Sequence, residues 1–491
     1  MKLAEIIDKY EIVEGYLDQN TEINKCTSDI NKSDPNSLLF VLPSVRGNTY
    51  EKSEKFIKSK SLALVTECPE YFKGSPIPII KVENARSAYA VAISRSYGID
   101  YRDITFIGVT GTNGKTTTAT MIYKILRESG YSAAFIGTGK ILFKDELLSE
   151  KYYSMTSPDP DELYKIIKEL QKRGCNAIVM EVSSHALALH KVDPIPFDIA
   201  VFTGLSEEHL DFHKTMEDYF SVKETLIKCT RRAVINCDDA YGMRLYNKYK
   251  VKALGVSTNY ILDGYAKRIS YDGMLSTSFI YKRGLDSTEL KINLPGEYNV
   301  TNSMLAFEVG AILNISASII KKALLSIENI DGRFECIRSD VTVVIDYAHT
   351  PLALDNLLKT INSAKNSRQS LTVVFGCGGD RDKSKRPLMA KACEKYSKSV
   401  IVTSDNPRSE DPQKIIDDIC YGFDSIKPLV IEDRRSAILH SIENANAGDI
   451  IVIAGKGHER YVIDKDGYHD FDEREIIKEA ILKRKKSVDE N

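Results

Sequence analysis

Ile104-Thr105-Phe106-Ile107-Gly108-Val109, followed directly by Thr110-Gly111-Thr112-Asn113-Gly114-Lys115-Thr116-Thr117-Thr118, decides the fold of this chain. The first stretch is uncharged, mostly apolar and of strand length, the pattern of a strand buried on both faces. The second is a Gly-rich turn, and the pattern after it predicts a helix ending at Gly130. A phosphate site needs backbone N–H groups bared by glycines, a helix N-terminus, a lysine for the terminal phosphates and a hydroxyl for Mg²⁺. Thr110, Gly111, Thr112, Asn113, Gly114, Lys115, Thr116 and Thr117 supply all four. The longer P-loop pattern has a glycine where Val109 stands, so the match is to a shorter variant. The alternative reading is a Gly/Thr-rich connector with no ligand.

Working outward, the same rhythm of apolar strand and helix continues. Strands are expected at 133–136, 177–182, 199–202 and 233–236, with a helix opened by Pro158-Asp159-Pro160-Asp161. Continuous apolar strands alternating with helices predict a parallel sheet covered on both faces. Between residues 264 and 294 the period changes to alternation, with Asp272-Gly273 as a turn, which predicts an antiparallel hairpin layer appended to that sheet. Helices at 299–313 and 316–327 lead through a hinge at Gly332 into a second α/β series, with strands at 341–345, 371–375, 399–402, 429–431 and 450–454. Before residue 103, short apolar runs at 38–42, 62–65 and 77–82 mix with helical stretches. The fold class is α/β in three domains: a small α/β domain at 1–102, a central P-loop-type parallel-sheet domain at 103–335, and a Rossmann-like doubly wound domain at 336–491.

Length and composition agree with that division. A chain of 491 residues exceeds one core, and about 150 residues per domain predicts roughly three. At 43% hydrophobic and 28% charged, it has the composition of an ordinary globular protein. Lys+Arg 67 against Asp+Glu 69 excludes a nucleic-acid binder working through bulk positive charge. The longest apolar runs, such as 450–454, are far short of the ~20 residues of a membrane span, so no membrane partner is expected. Acids in the first eight residues interrupt any signal-peptide core, and a cytoplasmic protein is expected. The nine cysteines are scattered, form no CxxC, and read as free thiols in a reducing compartment.

Two further clusters carry chemistry. Glu181 ends one apolar run, with Ser183, Ser184 and His185 after it, at the strand edge that faces the phosphate loop. A carboxylate there suits Mg²⁺; a Ser–His hydrolase pair is the alternative, but the glycines of a nucleophile elbow are absent. After the next strand, Glu207-Glu208-His209-Leu210-Asp211-Phe212-His213 concentrates acids and histidines suited to a cation or phosphate. In the last domain, Asp346-Tyr347-Ala348-His349-Thr350-Pro351, Gly376-Cys377-Gly378-Gly379-Asp380-Arg381, Asp405-Asn406-Pro407-Arg408 and Gly455-Lys456-Gly457-His458-Glu459 each follow a predicted strand. In a parallel sheet all four loops emerge at one edge, where ligands bind. Arg381 and Arg408 offer forked donors for a carboxylate, and Asp405 and Glu459 can receive an ammonium group.

These motifs, with Gly296-Glu297-Tyr298-Asn299-Val300-Thr301-Asn302 and Gly332-Arg333-Phe334-Glu335 between them, resemble those of the Mur ligases in order and spacing. Within that family they are most similar to the branch that makes the UDP-N-acetylmuramoyl-tripeptide of peptidoglycan. The resemblance implies an ATP-dependent, C–N bond-forming ligase that adds meso-diaminopimelate, or meso-lanthionine, to the γ-carboxylate of UDP-MurNAc-L-Ala-D-Glu through an acyl phosphate. Such an enzyme serves cell-wall biogenesis, and with it cell shape and division, and a monomer is expected. It further implies that Lys115 and Arg333 neutralise charge during phosphoryl transfer, that Thr116 and Glu181 bind one Mg²⁺, and that His209 and a carbamylated Lys223 hold a second. From its own surroundings in sequence Lys223 reads as a solvated helix lysine; only the resemblance makes it a ligand. Asn302 is implied at the adenine, with Asp346 and His349 approaching the nucleotide. Ser28, Thr156, Ser157, Ser184 and Lys191 are implied at the UDP substrate, and Arg381, Asp405, Asn406, Pro407, Arg408, Gly455 and Glu459 at the amino acid. The chain departs from relatives at Leu189 and Lys191, where glutamine and arginine are usual, and in Thr27-Ser28-Asp29. The alternatives are a lysine-adding or MurF-like ligase, folylpolyglutamate synthetase, or a simple NTPase that shares only the loop.

Overall fold

Three sheets carry the described part of the chain, residues 1–18, 20–44, 49–149 and 156–489 of this computed structural model, with side chains other than those of Ser149, Asp211 and 486–489. The first sheet contains β1 (Glu11–Glu14), β2 (Lys25–Thr27), β3 (Ser37–Phe40), β4 (Ala63–Thr66) and β5 (Ile79–Lys81), in the order β1-β5-β4-β3-β2. Only the β1–β5 pair is antiparallel. The helix Ala85–Ser96 closes this layer, its N-terminus capped by the Asn84 side chain accepting from the Ser87 N–H.

The second sheet has eleven strands: β6 (Thr105–Thr110), β7 (Ala133–Gly137), β8 (Lys140–Phe143), β9 (Glu146–Ser149), β10 (Ala177–Glu181), β11 (Ile199–Phe202), β12 (Arg232–Asn236), β13 (Ala253–Ser257), β14 (Gly264–Asp272), β15 (Ser276–Arg283) and β16 (Asp286–Ile292). Its middle, β14-β13-β12-β11-β6-β10-β7, is parallel, as the apolar runs require. Both ends turn antiparallel. The alternating segment adds three strands to one edge of this sheet, with Asp272-Gly273 at the β14–β15 turn. β8 and β9 extend the other edge.

One face of the central sheet is covered by the helices Lys115–Glu128, Glu297–Ile312 and Ala317–Leu325, where Ile122, Ile125 and Leu126 pack into one core with Met304, Leu305 and Ile320. Each such side chain contributes roughly 1.5–3 kcal/mol by leaving water. Glu297–Ile312 is buried nearly all round, its polar residues Asn299, Thr301, Asn302, Ser303 and Glu308 included.

The third sheet, β17 (Glu335–Arg338), β18 (Thr342–Asp346), β19 (Leu371–Phe375), β20 (Ser399–Val402), β21 (Leu429–Val430) and β22 (Ile450–Ala454), has the order β17-β18-β22-β19-β20-β21. It is parallel except for the edge strand β17. Helices cover both faces, giving one core around Leu354, Leu358 and Met389 and another around Ile438, Ile442 and Ile477. A small hairpin, β23 (Tyr461–Asp464) and β24 (Gly467–Asp470), follows. All nine cysteines are free, and among the described residues no helix is long and apolar enough to cross a membrane.

Candidate functional site

Two neighbouring cavities lie where the carboxyl ends of the second and third sheets face each other. The larger, about 610 Å³, is bordered by Thr112, Asn113, Gly114, Thr116 and Thr117 of the phosphate loop, by Asn302, and by Arg333 and Asp346. The smaller, about 330 Å³, is bordered by Glu208, His209, His349, Arg381, Asp405, Asn406, Arg408, Gly455 and Glu459. Ser206, Tyr347 and Leu352 border both.

The loop after β6 has the geometry its glycines allow. Gly111 has φ 147°, and a Cβ there would lie 2.0 Å from Thr203 Oγ1. Gly114 has φ 84°, and its Cβ would lie 2.7 Å from Asn302 Oδ1. β11 braces the loop, with the Thr203 hydroxyl donating to Asn113 O at 2.5 Å and the Thr112 N–H donating to Gly204 O at 2.8 Å. Thr110 is buried at the end of β6, beneath the cavity rather than on it.

Two buried ammonium groups converge under this loop. Lys115 Nζ donates to Gly111 O (3.0 Å) and Thr112 O (2.7 Å), and Lys223 Nζ donates to the same Gly111 O at 2.9 Å. Lys223, far from being solvated, is 1% exposed and sits 4.7 Å from the Tyr219 ring centroid. It comes from the helix Met216–Cys229, whose N-terminus is capped by Thr215 and whose buried face is Tyr219, Phe220, Lys223, Leu226 and Ile227. Burial, and then the Lys115 charge, push the Lys223 amine well below the ordinary lysine range. Burial also lowers Lys115, while Glu208 and Glu181 act the other way.

Glu181, the last residue of β10, is fully buried. Its carboxylate accepts from Thr116 Oγ1 (3.0 Å), Thr138 N (2.9 Å) and Thr138 Oγ1 (3.1 Å), and no basic side chain forms an ion pair with it among the described residues. Gly137 makes room for it, since a Cβ there would lie 2.3 Å from Glu181 Oε1. A buried carboxylate held by neutral donors alone, next to a hydroxyl, is a donor set suited to a hard divalent cation. No group of three or more His, Cys, Asp or Glu among the described residues is placed to hold a metal ion.

Arg333 spans the junction. Its Nη2 donates to Thr116 Oγ1 at 3.2 Å, and its guanidinium lies 4.4 Å from the centroid of the Tyr347 ring. Gly332 before it has φ 62°, and a Cβ there would meet His458 N at 2.2 Å and the Gly457 carbonyl carbon at 2.3 Å. Asp346, at the end of β18, accepts from Phe334 N (2.7 Å) and Ala348 N (2.8 Å), and burial raises its carboxyl. Asn302 Oδ1 accepts from Thr118 Oγ1 at 3.1 Å, and its amide donates to Asn299 at 3.2 Å.

His349 borders the smaller cavity and not the larger one. Its Nε2 lies 2.7 Å from Glu208 Oε1, joining the third sheet's loops to the segment after β11, and His209 Nε2 lies 3.6 Å from the other Glu208 oxygen. Burial opposes ionisation of Glu208, but His209, His349 and Lys115 override it and hold the carboxyl well below its usual range. Burial lowers His209 to about 4.

At the far end of the smaller cavity, Arg408 Nη1 donates to Gly379 O at 2.7 Å, and Arg381 is exposed at the rim. Asp405, Asn406 and Glu459 surround the ammonium of Lys456, which is wholly buried and 3.5 Å from Asp405 Oδ1 and 3.7 Å from Glu459 Oε2. Burial is opposed at Asp405 by Lys456, Arg434 and Arg408, which together hold it below its usual range. Burial and the Asp405 charge raise Glu459. Pro407 does not border the cavity; its carbonyl accepts from the Glu410 N–H.

The residues expected at the UDP substrate border neither cavity. Ser157 Oγ donates to Glu181 O (2.9 Å), Thr156 Oγ1 is 3.3 Å from Thr138 Oγ1, Ser184 Oγ is 2.9 Å from His213 Nε2, and Lys191 pairs with Asp159 at 2.7 Å. Ser28 lies near the Tyr89 hydroxyl, which donates to Asp161 at 2.5 Å. Sequence reading placed Glu208, Tyr347 and Lys456 inside ligand-edge motifs but gave none of them an individual role. The signal for Lys456 was its place between two glycines.

Residues 109–310 match the Mur ligase middle domain, and residues 332–457 match the Mur ligase, glutamate ligase domain. The chain is 37% identical to the UDP-N-acetylmuramoyl-L-alanyl-D-glutamate--2,6-diaminopimelate ligase of Clostridium tetani, covering 98% of this chain and 99% of that one. It is 38% identical to the ligase of the same name from Aquifex aeolicus over 90% of each. A solved structure of a ligase of that name superposes with a TM-score of 0.68 at 30% identity, covering 99% of both chains. With such identity sustained across nearly the whole of both lengths, the chain belongs to the Mur ligase family.

Proposed function

We propose that this protein joins meso-diaminopimelate to the D-glutamyl γ-carboxylate of UDP-MurNAc-L-Ala-D-Glu at the expense of ATP, in peptidoglycan precursor synthesis. The names of the full-length relatives support the substrates. The observation that carries the reading is the pairing of cavities: a phosphate loop opens on one, a doubly charged amino-acid pocket lines the other, and Tyr347 and Ser206 border both.

The chemistry follows from that adjacency. ATP takes the larger cavity, its phosphates on the loop N–H groups and Lys115, and its adenine toward Asn302. The substrate carboxylate attacks the γ-phosphorus and ADP leaves. The amine then attacks the acyl carbon and inorganic phosphate departs with one former carboxylate oxygen. Carboxylate and triphosphate repel each other, so Lys115 and Arg333, which reaches Thr116, lower the barrier by neutralising charge where the groups meet. Mg²⁺ fits Thr116 with Glu181, and a second ion fits His209 with carbamylated Lys223; bound there, the ions would screen the phosphate charge. The low basicity of the buried Lys223 amine favours the neutral form that combines with CO₂, and the resulting carbamate would add a second anion to the site of Glu208 and His209. The distal carboxylate of the amino acid pairs with Arg408 and Arg381, and its distal ammonium with Asp405 and Glu459. meso-Lanthionine has the same charged ends and is the second reading. The UDP moiety extends toward Ser28, Thr156, Ser157, Ser184 and Lys191. The protein works in the cytoplasm as a monomer.

UDP-MurNAc-L-Ala-D-Glu labelled with ¹⁸O in the γ-carboxylate tests this directly. One labelled oxygen is expected in each inorganic phosphate released, with release dependent on both the UDP-peptide and the amino acid. Unlabelled phosphate, or release without either substrate, refutes the ligase mechanism.

A further inference from the structure

Lys456 is the residue of the smaller site that the proposed reaction leaves unused. It lies between Gly455 (φ 117°) and Gly457 (φ 55°), conformations that turn the loop inward. A Cβ on Gly455 would lie 2.5 Å from Asp405 Oδ2, and one on Gly457 would lie 2.7 Å from Tyr347 Cβ, so the loop is pressed against the site on both sides of the lysine. The side chain has no exposed surface and does not border the cavity, whereas Asp405, Asn406 and Glu459 do.

Its ammonium orders all three neighbours. Nζ donates to Asn406 Oδ1 and to Tyr461 O, each at 2.8 Å. Ile463 N also donates to Asn406 Oδ1, at 3.0 Å, so the amide oxygen points at the lysine and the amide nitrogen is left to donate to Glu459 Oε2 at 2.8 Å. The two carboxylates flank the same ammonium. Arg434, the other buried cation nearby, is tied to Glu473 at 2.7 Å.

Two buried carboxylates at one site repel, and without a cation between them one takes up a proton. With Arg434 paired to Glu473 and Arg408 turned to Gly379 O, Asp405, Glu459 and Lys456 together leave a single net negative charge, the complement of one ammonium group.

We propose that Lys456 is a positioning residue for substrate selection: from beneath the smaller cavity it keeps Asp405 and Glu459 together as a two-acid acceptor, oriented through Asn406, for the distal ammonium of the incoming amino acid. The proposal deepens the function proposed above and rests on that reading.

The test compares meso-diaminopimelate with 2-aminopimelate, which keeps the distal carboxylate and lacks the distal amine, in the full-length enzyme. Lys456→Gln removes the charge and keeps a hydrogen-bond donor. The wild-type preference for diaminopimelate in kcat/KM is expected to fall by at least about tenfold in Lys456→Gln, while KM for ATP and for the UDP-peptide stays within about twofold. Lys456→Arg keeps the charge and is expected to hold the preference within about threefold; should Lys456→Gln not fold, Lys456→Met, uncharged and of similar volume, takes its place with the same expected loss. An unchanged preference in Lys456→Gln, or equal losses toward both amino acids and ATP, overturns the proposal and leaves Lys456 a structural brace. So does loss of the preference in Lys456→Arg. A wild-type enzyme that takes both amino acids equally fails at an earlier point: it refutes the substrate assignment itself, and this proposal with it.

Discussion

Arg408→Ala tests the amino-acid assignment most sharply. Among the described residues the hydrogen bonds of the Arg408 guanidinium run from Nη1, to Gly379 O at 2.7 Å and Asn406 O at 3.4 Å. The Nε–Nη2 edge is left for a carboxylate, side-on and bidentate. A hydrogen bond to a charged group is worth about 1.5–3 kcal/mol, and at a half-buried position a bidentate pair is worth roughly 3 kcal/mol in all. At 1.4 kcal/mol per decade, KM for meso-diaminopimelate should rise about 100-fold. Arg408 has φ 54°, and alanine inherits that strain unchanged, so the substitution reports on the side chain. Losing the brace on Gly379 costs about 1 kcal/mol and falls equally on any amino acid. L-Lysine, with no distal carboxylate, is therefore the control, and its KM should shift less than about tenfold. Steady-state kinetics with saturating ATP and UDP-peptide give both numbers. Equal losses for lysine and diaminopimelate, or an unchanged KM for diaminopimelate, would show that the guanidinium does not read the distal carboxylate.

Two other outcomes follow from buried groups. Lys223→Met removes a buried ammonium with no carboxylate in contact among the described residues, so the variant should fold at least as stably in urea yet lose ligation by a factor of about 10³ or more; ¹³C-bicarbonate should give the wild type alone a carbamate signal, and a fully active variant refutes the assignment. His458 is held neutral by burial, with Arg333, Arg474 and Lys140 adding to the effect, at about 3 against an ordinary 6.5. The unfolded chain binds the extra proton below pH 6.5, so this contribution is intact above 6.5 and is lost as pH falls toward 3, amounting to about 2 kcal/mol at pH 5. His458→Gln should flatten the fall in urea midpoint between pH 7.5 and 5, and an unchanged slope refutes the account.

The parallel middle of the central sheet and the body of the third were legible because their strands are fully buried and their sequences say so: Phe106-Ile107-Gly108-Val109, Ile199-Ala200-Val201-Phe202 and Ile450-Ile451-Val452-Ile453 admit no other reading. What escaped was at the edges. β8, β9, β23 and β24 are short, half-buried or exposed strands, and carry Lys140, Glu146, Asp464 and Asp470 among their residues; β13, inside the sheet, is interrupted by Gly255, which leaves room for Tyr246 and Cys237. The phosphate loop declared itself through spacing, but Glu208 and His349 meet only because two sheets face each other, 141 residues apart in sequence. Lys223 looked solvated because a lysine usually is; its place on a helix face with Tyr219, Leu226 and Ile227 was the available clue.

The tight seam at Gly332 couples what the two cavities do. The peptide at 457–458 leaves no room for even one methyl group at that glycine. The next residue carries the guanidinium that reaches Thr116, and the residue after His458 is the acid of the amine pocket. On the proposed reading, a molecule wedged at this seam stays out of both cavities and yet acts on both, because Arg333 with its reach to Thr116 and Glu459 with its hold on Asn406 are each one residue from the contact.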